Sequence, residues 1–280
     1  MKIISTVKSM ARYSLLAKSR DKTIGLVPTM GALHEGHLSL VRRSVEENDL
    51  TVVSVFVNPL QFGKNEDYSR YPGSFSADCK RCRKEGADAV YHLPVSAMYP
   101  ENFSTTVYTG GLSEKLCGKS RPGHFKGVCT VVTKLFNAVL PDKAYFGQKD
   151  FQQVLIIKKM AKDLDFPVKV KACPTKREQG GLALSSRNAY LSEKEREAAL
   201  LINRALKRAK YLAKNKREKS AIAIIREMKK IITAGSRLKI DYLDICDPET
   251  LCGMKTVKSG SLVAVAVYAG KTRLIDNAIL

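Results

Sequence analysis

The chain has 280 residues, of which 44% are hydrophobic and 27% charged, which suits one large or two modest soluble domains with a sizeable core. No apolar run approaches the roughly 20 residues that a membrane-spanning helix needs. Residues 1–20 contain neither the continuous apolar stretch nor the small-residue cleavage site of a secretory signal. We therefore expect a cytoplasmic protein with no membrane partner.

The formal net charge is +21, and about half of this excess lies in residues 175–280, which hold 22 basic and 11 acidic side chains. A basic surface attracts polyanions, so it suits a nucleic acid or a nucleoside triphosphate, or it is simply solvated. The basic helix expected at 203–219 has a single aromatic side chain, Tyr211, and no stacking motif. Its apolar positions, expected to face inward, are Leu206, Ala209, Leu212 and Ala213. We therefore expect no nucleic-acid partner.

The seven cysteines are odd in number and scattered, so they do not indicate a disulfide framework. Cys79 and Cys82 form a CxxC motif in "ADCKRCRKEGAD", but no second pair and no histidines follow at zinc-binding spacing. We expect solvated or partly buried thiols on a basic helix, and no metal site.

The first part of the chain alternates between β-branched apolar runs and amphipathic segments. This alternation predicts an α/β fold with a Rossmann-like, doubly wound parallel sheet. In chain order the sequence predicts a strand at 23–28, a helix from about His37 to 48, a buried strand from 50 to Asn58-Pro59, a helix at 74–86, a strand at 87–93, a helix at 127–141, a strand at 143–148, a helix at 150–164 with Asp150 as N-cap, and a strand at 167–174.

The pattern changes after Pro174. Ser192 and Glu195 form a capping box at the start of a long basic helix. A second helix at 221–232 and strands at 239–247 and 261–270 follow. We expect a first domain of residues 1–174 and a smaller C-terminal α+β domain of residues 175–280.

The stretch "VPTMGALHEGHLSL", residues 27–40, places His34 and His37 three residues apart between a predicted strand, ended by Pro28, and a predicted helix. Ligands bind at the carboxyl ends of strands in α/β sheets, and a helix N-terminus attracts anions. Two imidazoles there can donate hydrogen bonds to phosphate oxygens. A metal site would need a further ligand, the Walker pattern is absent, and a purely structural turn stays open.

The stretch "PTKREQGGLALSSRNAYLS", residues 174–192, places Ser185, Ser186 and Arg187 directly after an apolar run that follows two glycines. Hydroxyls beside a guanidinium suit a polyphosphate. The alternative is a polar loop that leads into the capping box.

Together the two stretches resemble the HIGH-type signature and the second phosphate-binding loop of nucleotidyltransferases and class I aminoacyl-tRNA synthetases. Five stretches in order are more specifically similar to the pantoate–β-alanine ligase (pantothenate synthetase) family, and the ending "TRLIDNAIL" is similar as well. The five are "PTMGALHEGHLSL", "SVFVNPLQF", "RPGHFKGV", "YFGQKDFQQ" and "LALSSRN". The resemblance spans essentially the whole chain.

This resemblance implies a reaction in two steps. The carboxylate of pantoate attacks the α-phosphorus of ATP and gives pantoyl adenylate and pyrophosphate, after which the amine of β-alanine gives pantothenate and AMP. It further implies a homodimer, an N-terminal domain that binds ATP and pantoate, and a C-terminal domain that closes as a lid. Mg²⁺ is expected from the charge of ATP and needs no dedicated protein site.

The resemblance also implies roles for individual residues. His37, His34 and Lys149 would be catalytic, and Asn58, Gln61 and Gln153 would bind pantoate and β-alanine. The implied ATP-binding residues are Met30, Gly31, Ala32, Leu33, His34, Glu35, Gly36, His37, Gly147, Gln148, Lys149, Asp150, Lys176, Leu184, Ser185, Ser186 and Arg187. Arg121 and His124 lie in a loop that the family places near the site, and no role is assigned to them.

Two positions depart from the family pattern. Lys176 stands where a hydrophobic residue is common, and Gly180 stands where the family often has the aspartate of "DGLALSSRN". The alternatives to the ligase are another HIGH-type nucleotidyltransferase and a basic nucleic-acid-binding protein. "SVFVNPLQF" and "GQKDFQQ" favour the ligase, because they supply groups for an acyl substrate that a plain nucleotidyltransferase does not need.

Overall fold

A computed structural model describes residues 1–64, 66–234 and 237–280. They form two compact units. The first contains Met1–Ser113, Arg121–Gln148 and Gln153–Pro174, and the second contains Glu114–Ser120, Lys149–Gln152 and Thr175–Leu280. Two short segments that the sequence assigns to the first domain, 114–120 and 149–152, therefore pack with the C-terminal residues.

The first unit is built on a parallel sheet, which in the described residues has six strands in the order β1-β4-β3-β2-β5-β6. The predicted Rossmann-like α/β class is confirmed. The strands are β1 (Lys2–Ile4), β2 (Ile24–Thr29), β3 (Leu50–Val55), β4 (Ala89–Tyr91), β5 (Lys143–Gly147) and β6 (Lys169–Cys173). β2 and β3 are neighbours, so the segments that follow them leave from the same edge of the sheet.

The helices of the chain's first part are α1 (Val7–Lys18), α2 (Glu35–Glu47), α3 (Phe75–Lys84), α4 (Val95–Met98), α5 (Cys117–Ser120), α6 (His124–Val139) and α7 (Phe151–Asp163). α2 and α3 bury their apolar sides with Val27, Val53 and Val90 of the sheet. Cys79 and Cys82 belong to this cluster, and Cys82 is 0% exposed. Burial raises the pKa of the Cys82 thiol to about 12. The expectation of solvated or partly buried thiols is therefore wrong.

Several boundaries differ from the prediction. β2 continues through Pro28 to Thr29, and because its pairing with β5 ends at Leu26, the missing N–H of Pro28 leaves no bond unmade on that side. β3 ends at Val55, before Asn58-Pro59. A 3₁₀ helix, Gln148–Asp150, precedes α7, so Asp150 lies within that turn. β1 and α1 are absent from the prediction. In α1 the apolar Leu15 and Leu16 are exposed, and they obscure the helical period of its buried residues.

The second unit contains helices α8 (Glu193–Asn215) and α9 (Ala221–Thr233) and an antiparallel sheet of β7 (Leu238–Cys246), β8 (Leu262–Ala269) and β9 (Thr272–Ile279). The capping box of Ser192 and Glu195 is confirmed. Leu206 and Ala209 are buried in the core, and Leu212 and Ala213 pack against it as expected. β9 was not predicted as a strand. Within the described residues, no helix combines the length and apolarity needed to cross a membrane.

Candidate active site

Residues 30–37, which include His34 and His37, are called the histidine turn here, and they follow the carboxyl end of β2. Gly31 and Ala32 both have positive φ, 84° and 51°, which lets the chain reverse sharply into α2. For Ala32 this conformation costs about 1–2 kcal/mol. α2 begins at Glu35, two residues earlier than predicted, because His34 acts as its N-cap. The rings of His34 and His37 stack with their centroids 4.1 Å apart.

Backbone hydrogen bonds assign the tautomers of the two imidazoles. Nδ1 of His34 accepts the N–H of Gly36 at 3.1 Å, and Nδ1 of His37 accepts the N–H of His34 at 3.4 Å. A neutral imidazole that accepts at Nδ1 carries its proton on Nε2. The turn therefore presents two Nε2–H donors at a helix N-terminus, an arrangement suited to an anion.

Asp78 of α3 binds the backbone of this turn. Its side chain is 2% exposed, and its two oxygens accept the backbone N–H groups of Ala32 at 2.9 Å and Leu33 at 2.8 Å. Arg81, one helical turn further on, donates to the carbonyl of Leu33. Asp78 is not among the residues that the sequence predicts for the site. The available signal was a lone carboxylate directly before the basic run "CKRCRK".

Gln61 ends a short 3₁₀ helix, Pro59–Gln61, that follows β3. Its Nε2 donates to Sδ of Met30 at 3.0 Å, and its Oε1 accepts from Nδ2 of Asn58 at 3.0 Å. Asn58 is 1% exposed, its Nδ2 also donates to the carbonyl of Gly127, and its Oδ1 accepts the hydroxyl of Tyr99 at 2.7 Å. The structure therefore brings an implied acyl-substrate residue, Gln61, against an implied ATP residue, Met30.

Arg121 and His124, which had no assigned role, hold the backbone of Gln61. The Gln61 carbonyl accepts from Nη2 of Arg121 at 3.1 Å and from Nδ1 of His124 at 2.9 Å. Nη1 of Arg121 lies 3.1 Å from Nε2 of His124, and since a guanidinium only donates, Nε2 accepts and Nδ1 carries the proton. Arg121 also pairs with both carboxylate oxygens of Glu66 at 2.6 and 2.5 Å. Burial opposes ionisation of Glu66, but these bonds outweigh it and lower its pKa.

The "GQKD" segment is divided between the two units. Gly147 and Gln148 lie in the first unit, and Lys149 and Asp150 lie in the second, where Nζ of Lys149 is 3.7 Å from Oδ1 of Asp150. Gln153 belongs to the first unit and lies on α7.

A short hairpin formed by residues 176–184 precedes Ser185, Ser186 and Arg187, which together are called the serine–arginine segment. The carbonyl of Lys176 accepts the N–H of Leu184 at 3.0 Å, and Gly180 lies in the turn between them. A Cβ at Gly180 would lie 2.9 Å from Cδ2 of Leu200 on α8, so a side chain there would require Leu200 to move. The two departures from the family pattern therefore fall on one arm and on the tip of this hairpin.

Ser185 to Arg187 follow the hairpin directly. Ser185 caps a 3₁₀ helix, Ser186–Tyr190, by accepting the N–H of Arg187 at 3.3 Å. Two hydroxyl residues and an arginine therefore stand consecutively at the start of this helix, and these are residue types that suit a polyphosphate.

No group of three or more His, Cys, Asp and Glu side chains in residues 1–64, 66–234 and 237–280 gathers as metal ligands would.

A pair of histidines at the carboxyl end of a parallel strand, beside a helix N-terminus, is the arrangement of an α/β protein that binds an anionic ligand such as a nucleotide. The comparisons with known proteins identify the family within that class. The sequence model of the family described as pantoate-beta-alanine ligase matches residues 2–279. The pantothenate synthetase of Thermotoga petrophila is 53% identical over 280 residues, and that of Caldicellulosiruptor bescii is 50% identical over 280 residues; the alignments cover 100% of this chain and 100% and 99% of those proteins.

Solved structures agree with this result. A crystal structure of pantothenate synthetase from Thermus thermophilus superposes with a TM-score of 0.95 at 43% identity, covering 100% of this chain and 99% of that one. A structure of pantoate-beta-alanine ligase from Francisella tularensis, complexed with beta-gamma ATP and beta-alanine, superposes with a TM-score of 0.82 at 33% identity, covering 100% and 97%. The chain belongs to the pantoate-beta-alanine ligase family.

Proposed function

We propose that the protein joins pantoate to β-alanine in two steps. A carboxylate oxygen of pantoate attacks the α-phosphorus of ATP, and pyrophosphate leaves. The amine of β-alanine then attacks the acyl carbon of the pantoyl adenylate, and AMP leaves with the bonding electron pair as pantothenate forms. Family membership over the whole chain supports this proposal, as does the relative from Francisella tularensis, which is complexed with beta-gamma ATP and beta-alanine.

The observation that carries the proposal is the contact between Gln61 and Met30. It joins the residue that we expect to hold pantoate to the turn that we expect to hold ATP, at 3.0 Å. An acyl transfer through an adenylate requires a carboxylate and an α-phosphorus to be held side by side, because most of the rate gain comes from alignment.

The imidazoles of His34 and His37 supply charge stabilisation. Their Nε2–H groups would donate to phosphate oxygens as negative charge accumulates around the attacked phosphorus, and His37 would be the proton donor. Lys149, with its ammonium charge, would bind the departing pyrophosphate, and Ser185, Ser186 and Arg187 would bind the same phosphates from the second unit.

The amides of Gln61 and Gln153 would bind the hydroxyls and carboxylate of pantoate without adding charge. The adenylate is prone to hydrolysis, so we propose that the second unit closes as a lid over it and excludes water. Mg²⁺ would arrive on the triphosphate, whose charge it neutralises, and would need no dedicated protein site. A homodimer and a cytoplasmic location stay predictions.

Isotope exchange between ATP and pyrophosphate tests the mechanism. We expect exchange that requires pantoate and does not require β-alanine, and AMP release once β-alanine is added. Products ADP and phosphate, or exchange that occurs only with β-alanine present, would contradict an adenylate intermediate.

A further inference from the structure

We propose that Asp276 and Asn277 are positioning residues that align the two phosphate-binding segments of the second unit, and that they thereby set the affinity for ATP. The inference rests on the proposed function of Lys149 and of Ser185–Arg187. The two adjacent residues lie on β9, in the "LIDN" stretch near the chain's end, and both are buried.

Asp276 fixes the hairpin that leads into the serine–arginine segment. Its carboxylate, 4% exposed, receives a two-pronged ion pair from Arg177, with Nη1 at 2.6 Å and Nη2 at 3.0 Å. The same Nη1 also donates to the carbonyl of Gly181, across the turn of the hairpin, at 3.1 Å. Planar, two-pronged arginine–carboxylate pairs fix orientation as well as distance, so the hairpin is held in one pose on β9.

Asn277 binds the other phosphate-binding segment, which contains Lys149. Its Nδ2 donates to the backbone carbonyl of Lys149 at 2.8 Å, and its own N–H is bound by Oδ1 of Asp276 at 2.8 Å. The carboxylate that binds Arg177 therefore also orders the backbone from which Asn277 reaches Lys149.

The consequence is geometric. The ammonium of Lys149 and the donors of Ser185–Arg187 come from distant parts of the sequence. Lys149 and the hairpin that leads directly into Ser185–Arg187 are nevertheless bonded to neighbouring positions of one strand. Groups held on a rigid element lose less freedom when a ligand binds than groups on independent loops. The spacing between the two sets of phosphate donors is thus built into β9 before ATP arrives.

The Asp276→Asn and Asn277→Ala variants test this inference through separate Michaelis constants. We expect Asp276→Asn to raise KM for ATP about tenfold, the effect of losing a charged hydrogen bond. KM for pantoate should stay within about twofold, because the residues expected to bind pantoate, Gln61 and Gln153, belong to the first unit. Asn277→Ala should raise KM for ATP by a smaller factor, and Arg177→Lys should fall between Asp276→Asn and the unmodified protein, because it keeps the charge and loses the two-pronged geometry.

Asp241→Asn provides the matched control in the same sheet. Asp241 of β7 receives a similar ion pair from Arg273 of β9, at 3.0 and 2.8 Å, and this pair is not bonded to Lys149 or to the hairpin in the part of the chain that the structure describes. This variant should unfold at lower temperature with KM for ATP unchanged.

The outcomes separate the inference from the proposed function. Equal changes of KM for ATP in Asp276→Asn and Asp241→Asn, or loss of stability alone in the Asp276 and Asn277 variants, would overturn the positioning role. Should Asp276→Asn fail to fold, Asn277→Ala and Arg177→Lys decide the question by the same readout. Absence of pantoate-dependent exchange in the unmodified protein would instead overturn the proposed function.

Discussion

The buried carboxylate of Asp78 accepts the backbone N–H of Leu33 at 2.8 Å, which ties helix α3 to the histidine turn across 45 residues of sequence. Its second oxygen accepts the N–H of Ala32, the residue whose left-handed backbone lets the turn close. These two N–H groups are therefore committed to a protein carboxylate. We therefore propose that the imidazoles of His34 and His37 bind phosphate at this turn.

Replacing Asp78 by Asn should weaken both the fold and ATP binding. The amide keeps one acceptor but turns its NH₂ group toward the second backbone N–H, which leaves a buried donor unpaired at a cost of about 1–3 kcal/mol. We expect a lower free energy of unfolding in urea and a higher KM for ATP. Asp163→Asn is the control, because its carboxylate pairs with Lys159 at the surface of α7 and contributes about 0.3–0.5 kcal/mol. Equal effects in both variants would remove Asp78 from the site.

Two substitutions at His37 separate the roles of its ring nitrogens. His37→Asn keeps an acceptor near the position of Nδ1 and removes the Nε2–H donor, whereas His37→Gln places an amide nitrogen near Nε2. We expect pantoate-dependent exchange between ATP and pyrophosphate to fall by about 10²–10³ in His37→Asn, as for loss of one oxyanion donor. His37→Gln should retain more activity.

Circular dichroism should show that both His37 variants keep the fold. An equal loss of exchange in the two variants would mean that donation from Nε2 is not what the reaction needs.

Much of the fold follows from local pattern. The runs around β2 and β3 are apolar and rich in β-branched residues because both faces of a central parallel strand are covered, and this pattern is readable without the structure. The start of α2 was misplaced because His34 caps the helix with a ring nitrogen, which is outside the usual set of capping residues. β9 was missed because its buried positions include Asp276 and Asn277, whose polar side chains break the apolar pattern.

The candidate site, like the fold, is only partly predictable from the local sequence. The histidines and the serine–arginine segment lie in motifs that the sequence displays. Asp78, Arg121 and Tyr99 act through tertiary contacts, and nothing in their local sequence specifies which distant groups they will contact. Gly127 illustrates this, since a Cβ there would lie 2.3 Å from the carbonyl oxygen of Leu60, a close approach that only the folded chain reveals.

Replacing Arg121 by Met should raise KM for pantoate about tenfold with little effect on KM for ATP, since it removes a charged donor from the Gln61 carbonyl. Glu66→Gln should act in the same direction more weakly, because the guanidinium keeps its bonds to Gln61 and His124. Arg208→Met, which removes an arginine that pairs with Glu227 in the second unit, is the control and should change neither constant. A rise in KM for ATP alone would show that Arg121 does not act through Gln61.

Glu47 should make the stability of the first unit depend on pH. The hydrogen bond from Arg43 is the largest cause that lowers the pKa of Glu47 from 4.5 to about 2, and it outweighs burial with help from Tyr145 and Lys171. A carboxylate whose folded pKa is depressed stabilises the fold fully above its unfolded pKa of 4.5 and loses that contribution as the pH falls toward about 2.

The Glu47→Gln variant should therefore be less stable than the unmodified protein at pH 7, by on the order of 1 kcal/mol for a partly exposed pair. The difference should shrink as the pH falls below 4.5 and vanish near 2, the two pKa values of Glu47. Urea unfolding at several pH values measures it. Glu46→Gln, on the exposed side of the same helix, should change stability by less than about 0.5 kcal/mol throughout. A constant difference between Glu47→Gln and the unmodified protein from neutral to acid pH would show that Glu47 stabilises the fold by packing, because packing does not depend on its charge.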